Sequence, residues 1–332
     1  MTTRATTVVI DAGARSEDGA WPTLDAAAVC SLDYEVDLVV VVDDEVEAGA
    51  ILGATAHDAE RLRLVAATTD RIRTACEYAR SFPGAGIVSA ADPLRVADIA
   101  ATSLSQIRGV DAPALASVVP TLRTRGSRND PFALLLDVGA TVEPRAKELA
   151  QFAILGATYA RLVSDNDSPT VALLGTGGLA GRLPRAIRDA DRRLTELDDL
   201  SLTYGGLVGA DELASGSADV IVCGGLLGDT VLRTIEGVIV SSEELLEVAR
   251  KRFQWRIGVR FLGGGIQQLR RLTNWQNYGG SPLLGYTHPV IVPQADSPVG
   301  AFVNAIRLIR KLVTRDLVGE TEQAIARGRV HV

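Results

Sequence analysis

Groups able to do chemistry are sparse in this chain of 332 residues, and glycine marks them more often than histidine does. Gly175-Thr-Gly-Gly-Leu-Ala-Gly181 follows an apolar run and opens a helical stretch, so its backbone N–H groups could cradle a phosphate. Glycine turns of this kind are common, and one alone specifies little. His57, His288 and His331 are the only histidines, which leaves little room for catalysis by paired imidazoles. His288, before Pro289 in a glycine-rich stretch, is the one placed like a site residue, although turn histidines more often serve structure. Cys30, Cys76 and Cys223 lie far apart in apolar surroundings and read as small buried side chains. They lack the spacing of metal ligands, and no metal site is expected.

The formal net charge is −7, which argues against nucleic-acid binding, because neutralising phosphates requires a basic surface. One segment runs against this balance. From Arg250 to Asn277 there is no Asp or Glu, while Arg252, Arg256, Arg260 and other cations alternate with Phe253, Trp255, Ile257 and Phe261. Gly263, Gly264 and Gly265 break it, giving a basic amphipathic helical hairpin, assigned to residues 238–277. Apolar burial and cationic attraction add at an anionic interface, so Arg252, Trp255, Arg256 and Arg260 are expected to contact a membrane or an acidic carrier protein. The alternative is a dimer or core-packing hairpin with a solvated basic face.

Elements must position these groups, and their pattern is legible. Short β-branched runs at Thr7 to Asp11, Val36 to Val42, Arg61 to Ala66, Gly86 to Ser89, Leu115 to Val119, Ala133 to Asp137, Val171 to Leu174, Val220 to Cys223 and Val290 to Val292 alternate with helical stretches such as Asp44 to Ala56. That predicts an α/β fold with a doubly wound, mainly parallel sheet covered on both faces. Ligands of such sheets sit beyond the carboxyl ends of the strands. The chain exceeds the usual size of one domain, and with no low-complexity linker it is expected to form a single two-lobed unit over residues 1–332. No stretch approaches the roughly 20 apolar residues of a membrane span, and no secretory signal is evident at the N-terminus, so a cytoplasmic location is expected, with peripheral contact at the inner face of the membrane if the hairpin binds there.

Several longer motifs carry a resemblance. Gly86-Ile-Val-Ser-Ala-Ala-Asp-Pro93, Gly109-Val-Asp-Ala-Pro-Ala-Leu-Ala-Ser-Val-Val-Pro120, Leu134-Leu-Leu-Asp-Val-Gly-Ala-Thr141, Gln151 to Arg161, Ala218 to Cys223, Val231 to Gly237 and Tyr278-Gly-Gly-Ser-Pro-Leu-Leu-Gly285 resemble, in order and spacing, the PlsX-type phosphate acyltransferases. The resemblance covers nearly the whole chain. It implies a homodimeric three-layer α/β/α protein, related in fold to phosphotransacetylases and isopropylmalate dehydrogenases. It further implies transfer of a fatty acyl group from acyl carrier protein to inorganic phosphate, with no metal or organic cofactor.

The departures from the family pattern fall on polar positions. After the first strand stands Asp11-Ala-Gly-Ala-Arg-Ser16, keeping the first of two aspartates. Ser89-Ala-Ala-Asp-Pro-Leu-Arg95 replaces a stretch with Asn, Thr and two glycines, and puts Asp92 where it could cap a helix. A carboxylate there competes with a bound anion for the same N–H groups. Gly175 to Gly181 lacks two carboxylates and a lysine, Cys223-Gly-Gly-Leu-Leu-Gly-Asp229 ends in an acid in place of Asn, and Pro293-Gln-Ala-Asp-Ser297 lacks a histidine.

Two readings follow. In the first, a diverged acyltransferase moves acyl groups from carrier protein to phosphate or another small acceptor. Gly175, Gly177 and Gly178 then form the oxyanion or phosphate cradle, Asp11, Ser89 and Thr176 orient the reactants, and Gly139, Thr141, Gly225 and Asp229 complete the site. In the second, a silent relative docks to carrier protein, membrane or another enzyme.

Overall fold

The computed structural model describes residues 5–13, 15, 19–121, 132–175, 183–197, 202–251 and 279–328. Eleven strands form one sheet: β1 (Thr6–Asp11), β2 (Val36–Val42), β3 (Leu62–Ala66), β4 (Gly86–Ser89), β5 (Ala114–Pro120), β6 (Phe132–Leu136), β7 (Thr170–Leu174), β8 (Thr203–Val208), β9 (Val220–Val222), β10 (Ser281–Leu284) and β11 (Val290–Val292). Their order across the sheet is β3-β2-β1-β4-β11-β10-β5-β6-β9-β7-β8. The helices are α1 (Pro22–Asp33), α2 (Glu45–Gly53), α3 (Arg71–Ala79), α4 (Pro93–Ser103), α5 (Ala146–Ser164), α6 (Arg185–Thr195), α7 (Gly225–Lys251), α8 (Val299–Thr314) and α9 (Leu317–Gly328).

Helices cover both faces because the strands are apolar on both. In β1 the side chains of Val8 and Ile10 enter one core with residues of α1, α5 and α8, while Val9 enters the other with residues of α3 and α4. The residues Val231, Leu232 and Ile235 of α7 pack against that second core. Starts of helices follow the same logic of local chemistry. Asp44, Asp70 and Asp92 precede α2, α3 and α4, and each accepts hydrogen bonds from the second and third amides of its helix. Such a cap contributes about 1 kcal/mol.

All nine strands expected from the sequence are present, within a residue at each end, and the sheet is mainly parallel as expected. Two more strands were hidden: β8 contains Gly205 and Gly206, and β10 contains Pro282 between glycine turns, so neither reads as β-branched. They matter, because β10 joins β11 to β5 at the centre of the sheet. β10 runs against both β11 and β5, and β5 runs against β6. The strands from β3 to β11 therefore run opposite to β6, β9, β7 and β8.

Register turns this reversal into a cleft. Ile87 pairs with Val290, Val290 with Leu283, and Leu283 with Leu115, while Leu136 lies beside Ala116, the next residue of β5. The carboxyl ends of β4 and β6 thus lie nearly level although the strands point in opposite directions. Each set of strand ends faces the other over the middle of the sheet.

The expected hairpin of residues 238–277 is described only to Lys251, through which α7 runs without a break. Arg252, Trp255, Arg256 and Arg260 lie outside the described residues. No helix among the described residues is long and apolar enough to cross a membrane.

Candidate active site at the meeting of strand ends

Asp11 closes β1 and is 1 % exposed. Its carboxylate accepts from the Gly13 amide at 3.2 Å, from Ser89 Oγ at 2.7 Å and from Arg71 Nε at 3.1 Å. Arg71, the first residue of α3, also pairs with Asp43 after β2. Asp11 and Ser89 are thus brought together, as parts of a clasp that ties three strand ends to α3. Ser89 is fully buried and accepts from the Ala91 amide, which shapes the turn into α4.

Across the centre, Gly139, Thr141 and Gly225 also converge, around a residue that motif reading did not single out. Asp137, fully buried at the end of β6, accepts amide hydrogen bonds from Leu115 at 2.8 Å, Gly139 at 3.1 Å, Ala140 at 3.0 Å and Thr141 at 2.5 Å. Burial pushes its carboxyl above the usual range, and the four amides pull the other way. This turn is a nest of backbone donors already holding an anion, the chain's own carboxylate. The Thr141 carbonyl accepts from the Gly225 amide at 2.9 Å, and Cys223 Sγ donates to the Asp137 carbonyl at 3.3 Å. The start of α7 is thereby pinned to the end of β6.

Gly175 follows β7 and gives its amide to the Val208 carbonyl at 2.9 Å. Thr176, Gly177 and Gly178 lie outside the described residues. His288 is buried, and its Nδ1 donates to the Ala85 carbonyl at 2.9 Å, a structural role.

Between these two clusters lies a cavity of about 300 Å3. Asp92 at the start of α4, Ser117 on β5, Asp229, Arg233 and Glu236 on α7, Ser281 on β10, and Gln294 and Asp296 after β11 supply its polar lining. Three of the turns at which the sequence departs from the family pattern, those containing Asp92, Asp229 and Gln294, therefore meet around one space. Of the predicted site residues that the structure describes, Asp229 lines it, whereas Asp11, Ser89, Gly139, Thr141, Gly175 and Gly225 are not among its lining. Arg233 and Glu236 were legible only as one face of a helix, at spacings of four and seven from Asp229. Nothing in the alternating pattern of β5 distinguished Ser117.

Architecture and cleft together define the class. Among solved structures, a phosphotransacetylase from Streptococcus pyogenes is 18% identical with a TM-score of 0.58, covering 97% of this chain and 94% of that one. A branched-chain phosphotransacylase from Enterococcus faecalis V583 is 13% identical with a TM-score of 0.57, covering 93% and 99%. The fold is that of the three-layer α/β/α phosphotransacylases.

Sequence comparison is more specific. A family model described as "Fatty acid synthesis protein" matches residues 72–319. A phosphate acyltransferase of Pelobacter propionicus is 30% identical over 275 residues, 82% of this chain and 77% of that protein. One from Geobacillus sp. (strain WCH70) is 33% identical over 223 residues, and one from Clostridium perfringens (strain SM101 / Type A) 32% identical over 225, the matches spanning 65% and 64% of those proteins. The chain belongs to the PlsX-type phosphate acyltransferase family.

Proposed function

We propose that this protein moves an acyl group from the thioester of an acyl carrier protein to phosphate or another small acceptor. The observation that carries this reading is the convergence of both sets of strand ends on one cavity of about 300 Å3, lined by residues of the turns that differ from the family pattern. The relatives' name, phosphate acyltransferase, supports the reaction class.

The chemistry needs an acceptor held against the thioester carbonyl and donors aimed at the developing oxyanion. At the described strand ends the amides are engaged: Asp92 takes those of Leu94 and Arg95, and Asp137 takes those of Gly139, Ala140 and Thr141. The Gly175 amide is likewise taken by the Val208 carbonyl, so within the Gly175 to Gly178 turn the donors are assigned to Gly177 and Gly178, with Thr176 beside them. Asp11 and Ser89 act by positioning the turn that carries Asp92.

The same proposal includes a two-lobed unit, a homodimer and peripheral contact with membrane or carrier through the 238–277 segment. Val238, Val240, Leu245 and Val248 of α7 are each more than half exposed, which supports a contact there.

Purified protein, carrier bearing a long acyl chain, and phosphate or another acceptor form a direct test. Carrier thiol should appear at a rate proportional to protein. Binding of acylated carrier with no release over a panel of acceptors contradicts the reading.

A further inference from the structure

Four consecutive residues, Ala91, Asp92, Pro93 and Leu94, line one side of the cavity. Asp92 closes the first turn of α4 by accepting from the amides of Leu94 and Arg95, and Pro93 has no amide to satisfy. These bonds shape the turn without tying it to the sheet. The tie comes from behind. The Ala91 amide donates to Ser89 Oγ at 3.3 Å, Ser89 Oγ donates to Asp11 Oδ2 at 2.7 Å, and Arg71 Nε donates to Asp11 Oδ1 at 3.1 Å. A relay of three bonds thus runs from the start of α3 to the cavity wall.

A second link joins the same two helix starts, because Arg95 pairs with Asp70, the cap of α3. Burial decides between the two links. The Arg95 side chain is 61 % exposed, and an ion pair at such a surface contributes little. Asp11 is buried, so loss of Arg71 would leave an enclosed carboxylate without its counter-charge. The other partner of Arg71, Asp43, is 70 % exposed and lies outside the relay. Placement of the wall also matters across the cleft, where Leu94 sits over Gly139: a Cβ there would come within 2.5 Å of Leu94 Cδ2.

We propose that Arg71 is a positioning residue for the cavity, acting through Asp11 and Ser89 to set where the wall of residues 91–94 stands and so how tightly the acceptor is held. The acceptor part rests on the transfer reading, whereas the place of the wall is measured without turnover.

Hydrogen exchange on the full chain reads the wall, and the carrier-thiol assay with inorganic phosphate reads the acceptor. In Arg71→Ala the amides of Ala91, Leu94 and Arg95 should exchange about tenfold faster, beyond any change in the amides of α5. The KM for phosphate should rise about tenfold with the KM for acylated carrier unchanged. Arg71→Lys keeps a cation against Asp11 and should recover part of both effects, while Asp43→Asn should leave both readouts as in wild type. Should Arg71→Ala fail to fold, Ser89→Ala carries the test, since it cuts the relay with the pair of Asp11 and Arg71 in place and should give the same two changes. Wild-type exchange at residues 91–95 in the variant that cuts the relay, or an increase shared equally by α5, overturns the proposal. If wild type releases no thiol with phosphate, the transferase reading fails for that acceptor, and the exchange rates alone uphold or overturn the role of Arg71.

Discussion

Asp137 shows how one residue can organise the end of a strand. Its carboxylate gathers four amides from two segments, β5 and the turn after β6. Asp137→Ala strands those donors in a buried place, at about 1–3 kcal/mol for the first and more as the network fails together. The expected outcome is a loss of about 3–5 kcal/mol in urea unfolding, and a loss below 1 kcal/mol contradicts this role. The cysteines give a second residue-level prediction. Burial pushes the thiols of Cys30 and Cys76 from an ordinary 9.0 up to about 12, and pushes Cys223 higher still. Folded protein should therefore give no rapid reaction with a disulfide reagent at pH 8, whereas unfolded protein should show all three thiols. Because the folded values are raised, the stability these thiols confer is full below pH 9.0 and is lost as pH rises from there towards 12. Stability flat across that window goes against the buried placement.

At the scale of elements, the seat of α7 on β6 is the tightest contact near the cleft. A Cβ at Gly228 would lie 1.8 Å from the Asp137 carbonyl oxygen and 2.9 Å from Cys223 Sγ. Gly228→Ala must move the helix start or the strand end, and both carry the cavity wall. About 2–3 kcal/mol of destabilisation is expected in thermal or urea melts, together with weakened ligand binding. A variant as stable as wild type would show that the helix start is not seated there. The sequence carried the strands well because β-branched runs buried on both faces leave a strong pattern, as in Val36 to Val42. It also carried the cap at Asp92, whose spacing to α4 is local. What it could not carry was the non-local part. Glycine and proline masked β8 and β10, and no pattern within a strand records that β5 pairs antiparallel with β6, the step that makes the strand ends face each other. Ser117 comes to the cavity through that reversal, whereas Arg233 and Glu236 come with Asp229 on one face of α7.

The whole molecule is a sheet of two opposed halves whose strand ends share one cavity, in a chain that belongs to the phosphate acyltransferase family. In the proposed reaction an acylated carrier must reach that cavity, and the basic stretch beyond α7 is the proposed contact. Replacing Arg256 and Arg260 together by Glu should abolish co-sedimentation with anionic vesicles or capture of acylated carrier, because reversing two cations changes the local charge by four. Unchanged partition in both experiments would refute the contact. Measuring release of carrier thiol from an acylated carrier protein, with acceptor present, tests the central claim most directly. The buried cysteines keep the background low. The account predicts thiol release that needs both protein and acceptor and that falls when the cavity wall is changed at Asp229 or Arg233. Saturable binding of the acylated carrier with its thioester intact would contradict it.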